Sequence, residues 1–130
     1  MQPLLQKVSV LLTCLSTSVG VAQSFADLPT GTYRYTQSDS ERLMRKSGSV
    51  VIGIEILDNG SRSSLVRSCF RGQAAGDRLI HVTQVSPPYD PASHWESNLT
   101  IEITSPLAGN TVLTEAEQAA LETCIQAFWR

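Results

Sequence analysis

The segment Val50-Val51-Ile52-Gly53-Ile54-Glu55-Ile56-Leu57 constrains this chain more than any other. Val50, Ile52, Ile54 and Ile56 recur at every second position, and β-branched side chains in that order suit a pleated, buried surface. The opposite face reads Val51, Gly53, Glu55 and Leu57. A period of two over this length is the spacing of a strand and not of a helix. Asp58-Asn59-Gly60-Ser61 follows with strong turn chemistry, so the chain should reverse there.

The same signal recurs on both sides. Residues 32–36 alternate, with Tyr33 and Tyr35 on one face and Arg34 on the other. Leu43-Met44-Arg45 is a short strand candidate that turns at Lys46-Ser47-Gly48-Ser49. Residues 65–71 give two faces, one with Arg67, Cys69 and Arg71, the other with Ser68 and Phe70; residues 72–76 are expected to turn the chain. Residues 78–85 return with Ile80 and Val82 on one face and Leu79, His81 and Thr83 on the other. Residues 86–94 hold three prolines and read as a loop, and residues 95–104 form a last strand with Leu99, Ile101 and Ile103 inward. Thr114-Glu115-Ala116-Glu117 is a capping box. Behind it Leu121, Cys124, Ile125 and Phe128 fall on one helical stripe. Sequential strands with short connections pair antiparallel. The expected fold is therefore mainly β: an antiparallel β-meander, curled or barrel-like, with one C-terminal α-helix packed on it.

The start of the chain has a different character. Lys7 is the only charged side chain before Asp27, an apolar run follows it, and small residues lead to Gly20-Val21-Ala22 and Ser24-Phe25-Ala26. Both triplets place small residues at −3 and −1 of a cleavage site, the layout of a secretory signal peptide. A membrane anchor needs about 20 predominantly apolar residues, and Ser16, Thr17, Ser18 and Gln23 interrupt that run. A buried N-terminal helix and lipidation at Cys14 are the competing readings. We therefore expect residues 1–26 to be a signal peptide, cut after Ala22 or Ala26, and residues 27–130 to form a single small β domain. No transmembrane anchor is expected after cleavage. Of the three cysteines, Cys14 leaves with the leader, so Cys69 and Cys124 remain. Two cysteines in an exported chain suggest one disulfide, with two free buried thiols as the alternative. The bond would close a loop of about 55 residues, worth roughly 4 kcal/mol by chain entropy.

Leu28-Pro29-Thr30-Gly31-Thr32-Tyr33-Arg34-Tyr35, then Arg45-Lys46-Ser47-Gly48 with Val51-Ile52-Gly53, then Ser68-Cys69-Phe70-Arg71-Gly72, resembles small exported cyanobacterial proteins of unknown function. That group shares the L-P-x-G-x-Y start and the R-K-x-G-x-x-V-x-G strand, and often has further cysteines near the first strand, which this chain lacks. The resemblance implies export and a β fold. It implies no activity and no site residues.

Chemistry-bearing motifs are sparse. There is no zinc-type spacing of His and Cys and no Gly-x-Ser-x-Gly elbow. Gly72-Gln73-Ala74-Ala75-Gly76 lacks the Lys-Ser/Thr of a phosphate loop. We expect no catalytic residues, no metal and no cofactor; Asp90, His94 and Glu96 form at most a solvated loop. A net charge of −2 excludes a basic nucleic-acid binder. Arg62, Arg67, Arg71 and Arg78 read as a solvated basic stretch rather than an anion site. The suggestive segment is the loop from Pro87 to Trp95. Its prolines stiffen it, and its aromatics are of the type that anchor partners. Tyr89, Trp95 and His94 are the binding candidates, for a protein or a small apolar ligand. By period two Trp95 shares a face with Ser97, Leu99, Ile101 and Ile103, so Trp95 should be buried and Tyr89 exposed. These features point to a non-catalytic binding domain of the periplasm or extracellular space. The alternatives are a structural or inhibitor-like envelope protein and a hydrolase with an unreadable site.

Overall fold

The computed structural model describes residues 23–37, 39–57, 66–104 and 111–129. Residues 1–22 of the expected leader, the turn at 58–61 and the strand stop at 106–110 lie outside the described residues. The elements are β1 (Gly31–Gln37), β2 (Ser40–Ser47), β3 (Val50–Leu57), β4 (Val66–Ala75), β5 (Arg78–Val85), β6 (Trp95–Glu102) and α1 (Glu115–Trp129). The strands lie in chain order in one sheet, each antiparallel to the next. The helix packs chiefly on β3, and also on β2 and β4. The fold is thus the antiparallel meander with a C-terminal helix. The sheet is curled but open: β1 and β6 are not paired among the described residues.

Both faces of the sheet are covered. The inner face holds Tyr33, Tyr35, Met44, Val51, Phe70, Leu79, Val82 and Ile103, with Leu99 and Ile101 packed against them. The curl brings the two ends of the sheet together over this core. Tyr35 Oη accepts from the Thr104 amide at 3.3 Å. Phe25 joins the same core, edge-on to Tyr33 with ring centroids 6.1 Å apart. Its amide donates to Asp77 Oδ1 at 2.9 Å, and the Ala26 amide donates to Gly76 O at 2.9 Å. Residues 25 and 26 are therefore part of the folded domain, ahead of the boundary expected at residue 27. A cation closes each end of the core, Lys46 buried and Arg42 part-buried. Lys46 Nζ donates to Leu28 O and Gly48 O, at 2.7 and 2.8 Å. At the other end Arg42 pairs with Glu55 and lies over the Tyr35 ring.

The outer face carries Leu43, Ile52, Ile54, Cys69 and Val85, and α1 sets Cys124 onto them. Cys69 and Cys124 form the expected disulfide, with Cα atoms 5.1 Å apart across a separation of 55 residues. The same alternation that points Cys69 at the helix points Phe70 into the inner core. At the N-terminus of α1 the capping box is made: the Glu117 amide donates to Thr114 Oγ1 at 3.1 Å, and the Thr114 amide to Glu117 Oε1 at 2.9 Å. Glu117 also receives both terminal nitrogens of Arg34, at 2.8 and 2.9 Å, which fastens the helix to β1. These bonds, led by the one to Arg34, hold the Glu117 carboxyl down at about 2 and push the Arg34 guanidinium up.

Three sequence expectations change. First, residues 72–75 continue β4, and the turn comes at Gly76, whose φ is +59°. Gly72 serves space rather than turning: a Cβ there would lie 2.8 Å from Val82 Cγ2. Second, β5 carries an extra residue. Arg71 pairs with Thr83 but Gln73 pairs with Ile80, and Leu79 and Val82 pair with Ile101 and Leu99. The bulge centres on His81, at φ 53°. Leu79 and Val82 therefore share the inner face, where strict alternation would put them on opposite faces. Third, β6 carries an extra residue between Glu96 and Leu99, with Asn98 at φ 61°. That bulge reverses the face of everything N-terminal to it. Leu99 stays inside, and Trp95 turns out towards α1.

Candidate binding face

The bulges create the most structured concavity on the outer face. A cleft of about 390 Å³ lies between the β4–β5 hairpin and the last turn of α1. Arg71, Gln73, His81 and Thr83 form its strand side, and Trp95 and Phe128 its aromatic side. Trp95 meets Phe128 edge-on, centroids 5.9 Å apart. A second cleft, of about 310 Å³, adjoins it at Val50 and is lined by Arg45, Ile52, Ile125 and Trp129. Arg71 lies over the Trp129 ring, 6.0 Å from its centroid. Trp129 is 69% exposed and Trp95 38%, so both tryptophans of the chain stand at this face. Among the described residues, neither cleft is lined by an Asp or Glu.

The proline loop buttresses this face. The Ser86 amide donates to His94 O at 3.1 Å, the Tyr89 amide to Ser86 O at 3.0 Å, and the Ser93 amide to Asp90 O at 3.0 Å. The loop then receives the Trp95 indole N–H on Asp90 O, at 3.0 Å. An indole fixed at one edge and open at the other is a preorganised contact, which lowers the ordering cost of binding.

The structure separates the sequence candidates. Trp95 lines the first cleft and is partly exposed, contrary to the burial expected from period two; the Asn98 bulge is the cause. Tyr89, expected outside, is half-buried against the helix-side core, and that burial pushes its phenol pKa up. The His94 side chain is 71% exposed and meets Glu96 at 3.0 Å, and His94 is not among the described lining residues of either cleft. Sequence reasoning missed His81, Phe128 and Trp129 as face residues, and placed Arg71 in a solvated stretch flanking the helix contact rather than in a binding site. Phe128 was visible as a core-stripe residue, and Arg71 as a neighbour of the helix contact once Cys69 and Cys124 were paired. His81 had no signal, because its place depends on the bulge.

Polar groups elsewhere also hold the fold. Arg42 and Glu55 form a nearly buried pair, and Gln84 Nε2 donates to Glu55 at 3.5 Å. No cluster of three or more His, Cys, Asp or Glu residues that could hold a metal occurs among the described residues. No described helix is long and apolar enough to cross a membrane. Comparison with protein-family models, curated proteins and solved structures finds no match for this chain.

Proposed function

We propose that this is a small exported binding domain, non-catalytic, working in the periplasm or extracellular space, with the Trp95–Phe128–Trp129 face as its contact surface. The observation that carries the reading is the pairing of two partly exposed tryptophans with Arg71 around two adjoining clefts. Trp and Arg are the side chains that most often dominate binding energy. A cleft of this size falls in the range of about 300–1,000 Å³ typical of small-ligand sites. The lining supports binding over hydrolysis, since among the described residues no carboxylate lines the cleft beside His81. The clefts also favour it over a purely structural envelope protein.

Export is supported by the leader-like order of residues 1–22, by the disulfide and by the resemblance to small exported proteins. The burial of Phe25 supports cleavage after Ala22 over cleavage after Ala26. Cutting after Ala26 would remove a core ring and its bond to Asp77, whereas cutting after Ala22 keeps both. The mature chain therefore starts at Gln23. Intact mass of the natural protein tests this: a mass starting at Gln23, two hydrogens lighter for the disulfide, supports it, and a cytoplasmic form retaining Met1 to Lys7 overturns export. For binding, the mature protein and its Trp95→Ala and Trp129→Ala variants are compared in pull-downs from the native periplasm or medium. A partner lost by both variants, with unchanged melting temperature, supports the face; a partner retained by both moves the binding function elsewhere.

A further inference from the structure

From the chemistry of the cleft, and resting on the binding reading above, we infer that its ligand is a small flat apolar acid: an aromatic or similarly planar body bearing a carboxylate. The two sides of the cleft ask for different halves of such a molecule. Trp95 and Phe128 supply ring faces and edges, which favour a planar apolar group. The strand side supplies Arg71, His81, Gln73 and Thr83, all able to donate hydrogen bonds to an oxygen.

Charge makes the choice. Arg71 has Trp129 as its described partner and no carboxylate among the described residues, so its guanidinium edge is available to an anion. Guanidinium–carboxylate contacts are charge-assisted and directional. Arg45 adds a second cation in the adjoining cleft, where Thr32 Oγ1 accepts from its Nε. Among the described residues the two clefts are lined by Arg71 and Arg45 and by no acidic side chain, on a chain whose net charge is −2. The last turn of α1 presents the negative end of the helix dipole. The carboxylate therefore belongs on the β4–β5 side, against Arg71 and His81, with the planar body towards Trp95 and Phe128.

The backbone supports a dedicated geometry. His81 sits at φ 53°, in the left-handed region that few non-glycine residues adopt. Such conformations concentrate at binding and catalytic sites, where the surrounding structure holds them. The bulge removes His81 from the regular alternation and delivers its ring to the cleft wall.

The test uses three probes of one shape: 2-naphthoate, 2-naphthalenemethanol and 2-naphthylmethylamine. Each is titrated into the isotope-labelled processed protein, followed by amide and indole proton–nitrogen NMR. Naphthoate should saturably shift the Trp95 indole signal and the Arg71 and His81 amides. The alcohol and the amine should bind there about tenfold or more weakly, the scale of one lost charge-assisted hydrogen bond. His81→Asn, which tolerates the left-handed backbone, and Arg71→Gln should each weaken naphthoate by about tenfold while leaving the alcohol unchanged. If acid and alcohol bind equally, or the amine binds best, the ligand class is overturned while the binding face stands. If no probe moves these signals, the cleft is not a small-molecule site, and both the inference and the small-ligand reading of this face fall.

Discussion

The two halves of the sheet follow different rules. In β1–β3 the register runs without a break, from Gly31 opposite Lys46 through to Ser47 opposite Val50. In β4–β6 it slips twice, at His81 and at Asn98. The regular half obeys strict alternation and supplies much of both cores. The bulged half departs from it, and the departures turn Trp95 and His81 to the outer surface, where the candidate site lies. Extra residues in a strand bend it and re-aim its side chains. The curl that closes the inner core and the cleft on the outer face are thus two results of the same bulges.

The disulfide and the N-terminal ion pair tie α1 to opposite halves, and removing the disulfide should give the largest effect. Replacing Cys69 and Cys124 together with Ala should lower stability by roughly 4 kcal/mol, since the link closes a long loop in the unfolded chain. Urea unfolding measures this, and the cleft should be lost with the helix contact. Next comes Gly53→Ala in the regular half. A Cβ there would lie 2.5 Å from Leu43 O and 2.6 Å from Phe70 Cζ. Neither a paired backbone nor a buried ring yields easily, so a loss of about 1–3 kcal/mol is expected. The same change at Gly72 meets a single valine methyl first and should cost less.

Substitution by valine then contrasts the halves directly. His81→Val should cost about 1–2 kcal/mol, because a β-branched residue resists the left-handed backbone. Thr36→Val, at an exposed site on regular β1, should change stability by less than ~0.5 kcal/mol. His81→Asn should be close to neutral. A further effect is a pH dependence. Glu117 is depressed to about 2 in the folded protein by its bonds to Arg34 and Thr114. Its contribution is therefore complete above the ordinary carboxylate pKa and is lost as pH falls from about 5 towards 2. The pair is partly solvated, so the amount is about 1 kcal/mol. Glu117→Gln should flatten that part of the acid limb.

This contrast also explains what could be read in the sequence. Val50–Leu57, the β1 alternation, the capping box and the cysteine pair are local patterns, and each has its structural counterpart. The face assignments that failed lie in the bulged half. Leu79 with Val82, and Trp95 with Leu99, were assigned by parity, and one inserted residue reverses parity without altering the pattern of residue types. Gly72 carries turn chemistry but fills a packing role, which depends on Val82 across the sheet. The candidate site was legible only through Trp95 and the proline loop. Its other members, Arg71, His81, Phe128 and Trp129, come from three elements that only the folded chain brings together.

The central claim is that the Asn98 bulge turns Trp95 out onto the helix. Nuclear Overhauser contacts of the Trp95 indole test it directly. Cross-peaks are expected from the Trp95 ring to the Phe128 ring, and none to the Leu99 or Ile101 methyls. Strong cross-peaks from Trp95 to those inner-face methyls, with none to Phe128, would contradict it and restore strict alternation along β6.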